Sequence, residues 1–242
     1  MNHSVSQLSA RTLQLPECES AAPDTAIPAY MHEVYEWAYL NPRNAWLLDR
    51  ELVVNSILWG NSPTLRKALL QEIEPGSNVF QAAHVYGRML KDLARRIGPE
   101  GRLEVVDVVP VQAEHAQRKL SGFLNAHVRI ADAASHDGRR YDTVVCYFLL
   151  HEIPENHKRA VIDALLERLA RNGRLIFIDY HRPAPWHPLG PLMYLIFRTL
   201  EPFATSLTRN PISSYARHAD DYAWRKQTFF GGLYQKVVVQ RR

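Results

Sequence analysis

Cysteine is scarce in this chain, with two in 242 residues. Cys18 stands in a polar stretch and Cys146 inside the apolar run from Thr143 to Leu150, so neither a disulfide framework nor a zinc site is available. Long apolar runs are missing as well. None reaches the roughly eighteen residues that a spanning helix requires, and the first residues lack the charged, apolar and small-residue order of a secretory signal. These absences predict a cytoplasmic protein. Lys and Arg are scattered, with no basic block interleaved with aromatics, so no nucleic-acid partner is expected. The net charge of +4 and pI of about 9.1 suit a weak attraction to an anionic membrane surface instead. Glycine is sparse too, eleven residues in all, and its scarcity matters most in one loop considered below.

What remains is the composition of one α/β domain: 46% hydrophobic and 22% charged residues. Residues 1–29 are rich in Ser, Ala, Pro and Thr without periodicity and read as a flexible tail. From Tyr30 to Leu70 apolar residues recur at helical spacing, predicting an N-terminal helical lid in which Pro63 opens the last helix. Tyr30, His32, Tyr35 and Trp37 are its candidate contacts with a ligand. After Pro75-Gly76 short apolar strands alternate with helices, the order of βαβ units and a parallel sheet. Strands are predicted at Asn78–Ala82, Arg102–Asp107, Ala126–Ile130, Tyr141–Tyr147 and Arg174–Tyr180. Helices are predicted at Arg88–Ile97, Val111–Leu120 and Glu155–Arg171. An insertion follows over residues 182–217, and Trp224–Phe230, Gly231-Gly232 and Leu233–Gln240 read as an antiparallel hairpin.

Ligands of such sheets bind at the carboxyl ends of the strands, where the winding direction reverses. The turn after the first strand, Ala83-His84-Val85-Tyr86-Gly87, runs straight into a helix. Asp107 ends the second strand twenty positions after Gly87, the spacing at which a carboxylate meets a ribose diol. After the third strand, Asp132 and Ala133 stand where an adenine amine would lie, and Val108 offers an apolar wall for the ring. Together these positions predict a nucleoside site. Tyr147 and His151 follow the fourth strand, and Tyr180 and His181 the fifth. The four are candidate catalytic residues, because an imidazole transfers protons near neutral pH and the two loops face one crevice.

Tyr141-Asp142-Thr143-Val144-Val145, Leu149-Leu150-His151-Glu152-Ile153-Pro154 and Gly173-Arg174-Leu175-Ile176-Phe177-Ile178-Asp179 carry a family resemblance. From about Tyr35 to Arg242 the chain resembles the S-adenosylmethionine (SAM) dependent methyltransferases of polyprenyl quinones, and more closely their rhodoquinone biosynthesis branch. The resemblance implies a class I SAM-methyltransferase, Rossmann-like fold: a doubly wound sheet, mostly parallel, closed by a C-terminal antiparallel hairpin. It implies SAM as cofactor, manganese (Mn2+), and ubiquinone as the substrate whose ring methoxy is exchanged for an amino group with SAM as amine source. The cofactor residues carried over are Ala83, His84, Tyr86, Gly87, Asp107, Val108, Asp132 and Ala133.

The first loop departs from the family pattern. Gln81 replaces the acidic residue of the first strand, and Ala83 and Val85 replace the first two of three glycines, leaving Gly87. A ligand approaches bare backbone at the middle position, so the Val85 side chain predicts an altered SAM pose. A conventional C- or O-methyltransferase and a non-catalytic binding module in a quinone-synthesis complex are the alternatives. Asp179, Glu152, His151 and His181 are candidate metal ligands with no spacing motif to select among them. The apolar residues between Trp186 and Phe203 predict either an interfacial helix, placing the protein peripherally on the inner membrane face, or a lid over the site.

Overall fold

The computed structural model describes residues 49–242. The tail at 1–29 and the lid positions Tyr30, His32, Tyr35 and Trp37 lie outside the described residues. Two helices open the described part, α1 (Glu51–Ile57) and α2 (Ser62–Leu70), the latter started by Pro63. The alternating section follows as β1 (Asn78–Ala82), α3 (Met89–Ile97), β2 (Arg102–Asp107), α4 (Pro110–Leu120), β3 (Ala126–Ile130), β4 (Tyr141–Tyr147), α5 (Glu155–Glu167) and β5 (Leu169–Tyr180). The chain then forms α6 (Gly190–Thr199) and α7 (Ala204–Arg209) before the hairpin of β6 (Tyr222–Phe229) and β7 (Tyr234–Arg241).

The seven strands lie in the order β3-β2-β1-β4-β5-β7-β6. The first five are parallel, and β7 and β6 add to the β5 edge antiparallel. The sheet is covered on both faces, as parallel sheets are. Alternate side chains of each strand divide between two cores: Val79, Val145, Ile176 and Ile178 meet α2, α3 and α4, whereas Phe80, Val144, Cys146 and Phe177 meet α5 and α7. In α3 the residues Met89, Leu90, Leu93, Ala94 and Ile97 make one buried stripe at helical spacing.

Four strand ranges agree with the sequence reading, but β5 begins five residues earlier than expected and α5 stops at Glu167 rather than Arg171. The cause is pairing. The Tyr141 amide donates to the Arg168 carbonyl at 2.9 Å and Tyr141 sits opposite Leu169, so the chain leaves the helix to complete the β4 edge. Gly173 accommodates the irregularity that follows, since a Cβ there would stand 2.8 Å from the Tyr141 carbonyl oxygen.

Arg168, at that helix end, is 1% exposed. Its guanidinium donates to the carbonyls of Ala133, Ala164 and Ser135 and lies 4.6 Å from the Phe80 ring centroid. It therefore ties the loop after β3, which carries Asp132, to the end of α5. Arg168→Ala is expected to cost about 2–4 kcal/mol, because the buried Ala133 carbonyl loses the guanidinium donor, the tie to Ser135 is cut and a void remains beside Phe80. Urea denaturation measures this, and a loss below about 1 kcal/mol would mean that water replaces the guanidinium without penalty.

Candidate functional site

The winding direction reverses between β1 and β4, and there a cavity of about 430 Å³ opens at the strands' carboxyl ends. Its floor comes from the loops after β1, β2, β3 and β4. Val54, Ile57, Leu58 and Trp59 contribute one wall, and Met193, Ile196, Leu200 and Glu201 from α6 and the turn after it close another. Of the twelve positions read from the sequence, nine line it: Ala83, His84, Tyr86, Asp107, Val108, Asp132, Ala133, Tyr147 and His151.

Gly87, Tyr180 and His181 do not line the cavity. Gly87 turns the chain behind the loop, with φ +77° and its amide donating to Asp49 Oδ1 at 2.9 Å. Tyr180 is buried beneath the site as packing, its ring centroid 4.9 Å from that of His151 and 5.4 Å from that of Phe148. His181 points toward the hairpin, where its Nδ1 lies 2.9 Å from the Gly232 carbonyl oxygen and its Nε2 3.3 Å from Lys226 Nζ. His181 lies one residue beyond β5, where its amide donates to the Leu233 carbonyl at 2.8 Å, so it is bound to the hairpin through backbone and ring alike.

Asp107 organises the nucleoside side. Its Oδ2 accepts the His84 amide and its Oδ1 the Val109 amide, both at 2.8 Å, so one carboxylate fixes the loops after β1 and β2. Burial raises the Asp107 pKa to about 6 against the opposing pull of those two amides. A carboxylate offers about four acceptor positions, which leaves capacity for a ribose diol. Asp132 accepts the Ala134 amide at 2.8 Å and stands 3.5 Å from His157 Nε2. Burial favours its neutral form, but His157 and that amide outweigh burial and hold the pKa below the ordinary value.

The glycine-poor loop is held from beneath. His84 Nδ1 stands 2.9 Å from Gln112 Oε1, and the Gln112 amide nitrogen donates to the Tyr86 hydroxyl at 3.0 Å. Burial, then the charge of Lys119 and of His115, drives the His84 pKa well below its ordinary value. The ring is thus neutral, donates through Nδ1, and keeps a lone pair on a buried Nε2 that has no partner among the described residues. Ala83 takes φ +67°, a conformation that glycine adopts freely. Val85 is buried and lines the cavity where a ligand would otherwise meet bare backbone. The Arg88 amide at the start of α3 donates to Glu51 Oε2 at 3.0 Å, so carboxylates from the α1 region already occupy the amides that follow the loop.

Opposite stands a buried pair. His151 Nδ1 lies 2.9 Å from Asp179 Oδ1, and Asp179 also accepts the Leu150 amide at 2.9 Å and the Tyr180 amide at 2.7 Å. Burial lowers the proton affinity of His151, but the Asp179 charge and hydrogen bond overcome it and raise the pKa to about 9. The ring is an imidazolium at neutral pH. Its Nε2 stands 3.7 Å from Glu152 Oε1. Tyr147 also lines the cavity, and burial keeps its hydroxyl protonated.

Asp107 and the room above it fit the nucleoside half of SAM, while the occupied amides and Val85 leave the methionyl half without the usual bare-backbone seat. Manganese does not fit the residues suggested for it. His181 is held at the hairpin by Gly232, both Asp179 oxygens are engaged, and among the described residues no three His, Cys, Asp or Glu side chains gather as ligands. Gln112, Phe148 and Trp59 belong to the site without any motif marking them, whereas the α6 residues fall in the stretch whose apolar pattern suggests a lid or an interfacial helix. The role of Asp179 as partner of His151 was equally hidden, although its place at the end of β5 was a usable signal. Asp179→Asn is expected to lower the His151 titration well below about 9, since burial is then opposed only by the charges of Glu201 and Glu152. Histidine NMR shifts against pH check this, and a value still near 9 would assign the shift to another group.

Comparison with known proteins agrees with this architecture. Residues 79–173 match a family model described as a methyltransferase domain. The mitomycin 7-O-methyltransferase MmcR superposes with TM-score 0.64 at 15% identity, covering 86% of this chain and 60% of its own. An O-methyltransferase family protein from Burkholderia thailandensis gives 0.58 at 15%, covering 79% and 59%. A SAM-dependent methyltransferase from Aquifex aeolicus gives 0.52 at 16%, covering 82% and 97%. The chain thus spans less than two thirds of the length of the first two. No curated protein matches it. The chain has the class I SAM-methyltransferase fold, with parallel strands followed by a C-terminal antiparallel pair.

Proposed function

We propose that the chain is a SAM-dependent transferase acting on the head group of a polyprenyl quinone, and that it exchanges a ring methoxy for an amino group, as the rhodoquinone resemblance implies. The observation that carries this reading is the 2.9 Å contact of His151 Nδ1 with the buried Asp179 carboxylate at the cavity wall, which favours the protonated ring. A methyl transfer to a hydroxyl calls for a neutral base, whereas the Asp179-bound ring is protonated at neutral pH. An imidazolium facing the cavity donates to a quinone carbonyl and draws electron density from the adjacent ring carbon. That carbon then gains a bond to nitrogen and loses its bond to methoxy oxygen, which departs with a proton as methanol. Tyr147 offers a second, neutral donor for a ring oxygen. Asp107 holds the ribose, and His84 and Val85 shape the space around the methionyl end. Bound SAM would supply the nitrogen in this reading, and the N–Cα bond would then have to break: loss of the Cα proton with two electrons passing into the quinone ring would give a quinol and an imine, and water would split that imine into the aminoquinol and the 2-oxo acid of the donor.

Conventional C- or O-methylation of a quinone or phenol is the second reading, favoured by the family model over residues 79–173 and by the O-methyltransferases among the structural neighbours. SAM would then supply its sulfonium methyl, and His151 would have to lose its proton first.

Two measurements separate them. With a ubiquinone and SAM labelled separately at the amino nitrogen and at the methyl carbon, amination puts the nitrogen label in the quinone, while transfer of the methyl label alone would overturn it. The pH dependence has opposite signs. The folded pKa of His151 is raised, so an acid role persists at neutral pH and fades as pH rises through about 9, whereas a base role grows through the same value.

A lipid substrate needs access from a bilayer. Among the described residues no helix is long and apolar enough to cross a membrane. Trp186, Tyr194, Leu195 and Leu200 are nevertheless 77%, 64%, 55% and 58% exposed, and Leu200 also lines the cavity, as do the exposed Ile57 and Trp59 on the opposite rim. A peripheral seat on the inner membrane face places this mouth in the interface. The protein is expected to float with anionic liposomes at low salt, and recovery wholly in the soluble fraction would remove the membrane seat.

A further inference from the structure

Backbone strain in this protein concentrates at the cavity. Among the described residues four non-glycine positions take positive φ, namely Trp59 at 52°, Ala83 at 67°, Phe148 at 51° and Phe230 at 47°, and the first three line the same space. A bulky aromatic residue in the left-handed region is disfavoured by its own Cβ, and such positions persist where the surroundings hold them. Phe148 is the clearest case, being held from both sides. Its amide donates to the Ile178 carbonyl at 2.7 Å, and two residues later the Leu150 amide binds Asp179.

The ring that this conformation projects sits among Tyr147, His151, Tyr180 and Tyr234, with centroid separations of 5.0, 5.8, 5.4 and 5.9 Å. The interplanar angles are 69°, 84°, 79° and 75°. All four neighbours cross it steeply, and among the described residues none lies flat on it. Phe148 is only partly buried and lines the cavity beside the two donors, Tyr147 and His151.

We infer that Phe148 is the stacking platform of the acceptor site, a rigid aromatic face on which a planar, electron-poor quinone ring lies while Tyr147 and His151 reach its oxygens. The inference rests on the quinone reading given above and adds to it the residue that selects a flat ring. Stacking of a planar ring on an aromatic face is favourable beyond the burial of area, and a ring so placed is held at a fixed height relative to the residues beside it. An aliphatic side chain in the same place would bury area without fixing the plane.

The test is binding of a ubiquinone carrying one prenyl unit, followed by calorimetry, to the wild-type chain and to Phe148→Gly, Phe148→Leu and Phe148→Tyr. Glycine removes the strain together with the ring, so its folding is not at risk from the backbone. Leucine keeps an apolar side chain, and tyrosine keeps the ring. The expected result is a loss of about tenfold in quinone affinity for the glycine and leucine variants, near wild-type affinity for the tyrosine variant, and SAM affinity unchanged in all three. Glycine or leucine variants that bind the quinone as the wild type does would overturn the platform while leaving the quinone reading standing. A wild-type chain that binds no quinone would remove both.

Discussion

A buried carboxylate, Asp179, sets the geometry of the acceptor side. It is 1% exposed and accepts from the Leu150 amide, the Tyr180 amide and the His151 ring. An isolated charge at that depth would be very unfavourable, and only a set of donors directed at it makes the position tolerable. To supply them the chain leaving β4 must turn sharply, and it does so at Phe148. The strain of one left-handed residue, roughly 1–2 kcal/mol, is smaller than the return from charge-assisted hydrogen bonds worth about 1.5–3 kcal/mol each. The same bonds keep His151 protonated, so one burial decides the turn, the charge state and the direction of the aromatic face.

This accounts for the division between what the sequence disclosed and what it concealed. β1, β2, β3 and β4 could be read to the residue because their apolar runs are short, rich in β-branched side chains and bounded by turn residues. Asp107, Asp132, Tyr147 and His151 followed from the strand-end rule, which depends only on topology. The remainder turns on side-chain direction and long-range pairing. The start of β5 was missed because Leu169 to Gly173 continue a helical pattern locally, and only the distant Tyr141 edge draws them into the sheet. His181 was placed in the site by proximity in sequence, yet its ring goes to the hairpin. Gln112 is an unremarkable helix residue until His84 and Tyr86 are brought against it by a different loop.

The loop after β1 shows how a glycine requirement can be met by other means. Ala83 adopts the left-handed conformation itself. The Gln81 side chain donates to the carbonyls of Ala82 and Ala83 at 2.7 and 3.1 Å, which steadies a turn that has lost its acidic residue. Lys119 donates to the Val85 carbonyl at 2.8 Å and also pairs with Asp49, whose carboxylate receives the Gly87 amide. The loop is therefore determined by contacts from α4 and the α1 region rather than by permissive backbone.

That arrangement bears on how a cofactor can lie. Helix amino termini attract anionic groups because their first amides are unsatisfied. Here Asp49 and Glu51 already satisfy the amides of Gly87 and Arg88, so a ligand carboxylate finds no free donor in those two. The carboxylates are themselves paired, Asp49 with Lys119 and Glu51 with Arg66, and the Lys119 charge beneath the loop is one reason that His84 stays neutral. The loop side of the cavity is therefore a neutral polar surface, and the charged contact lies opposite it, where Asp179 holds the His151 ring.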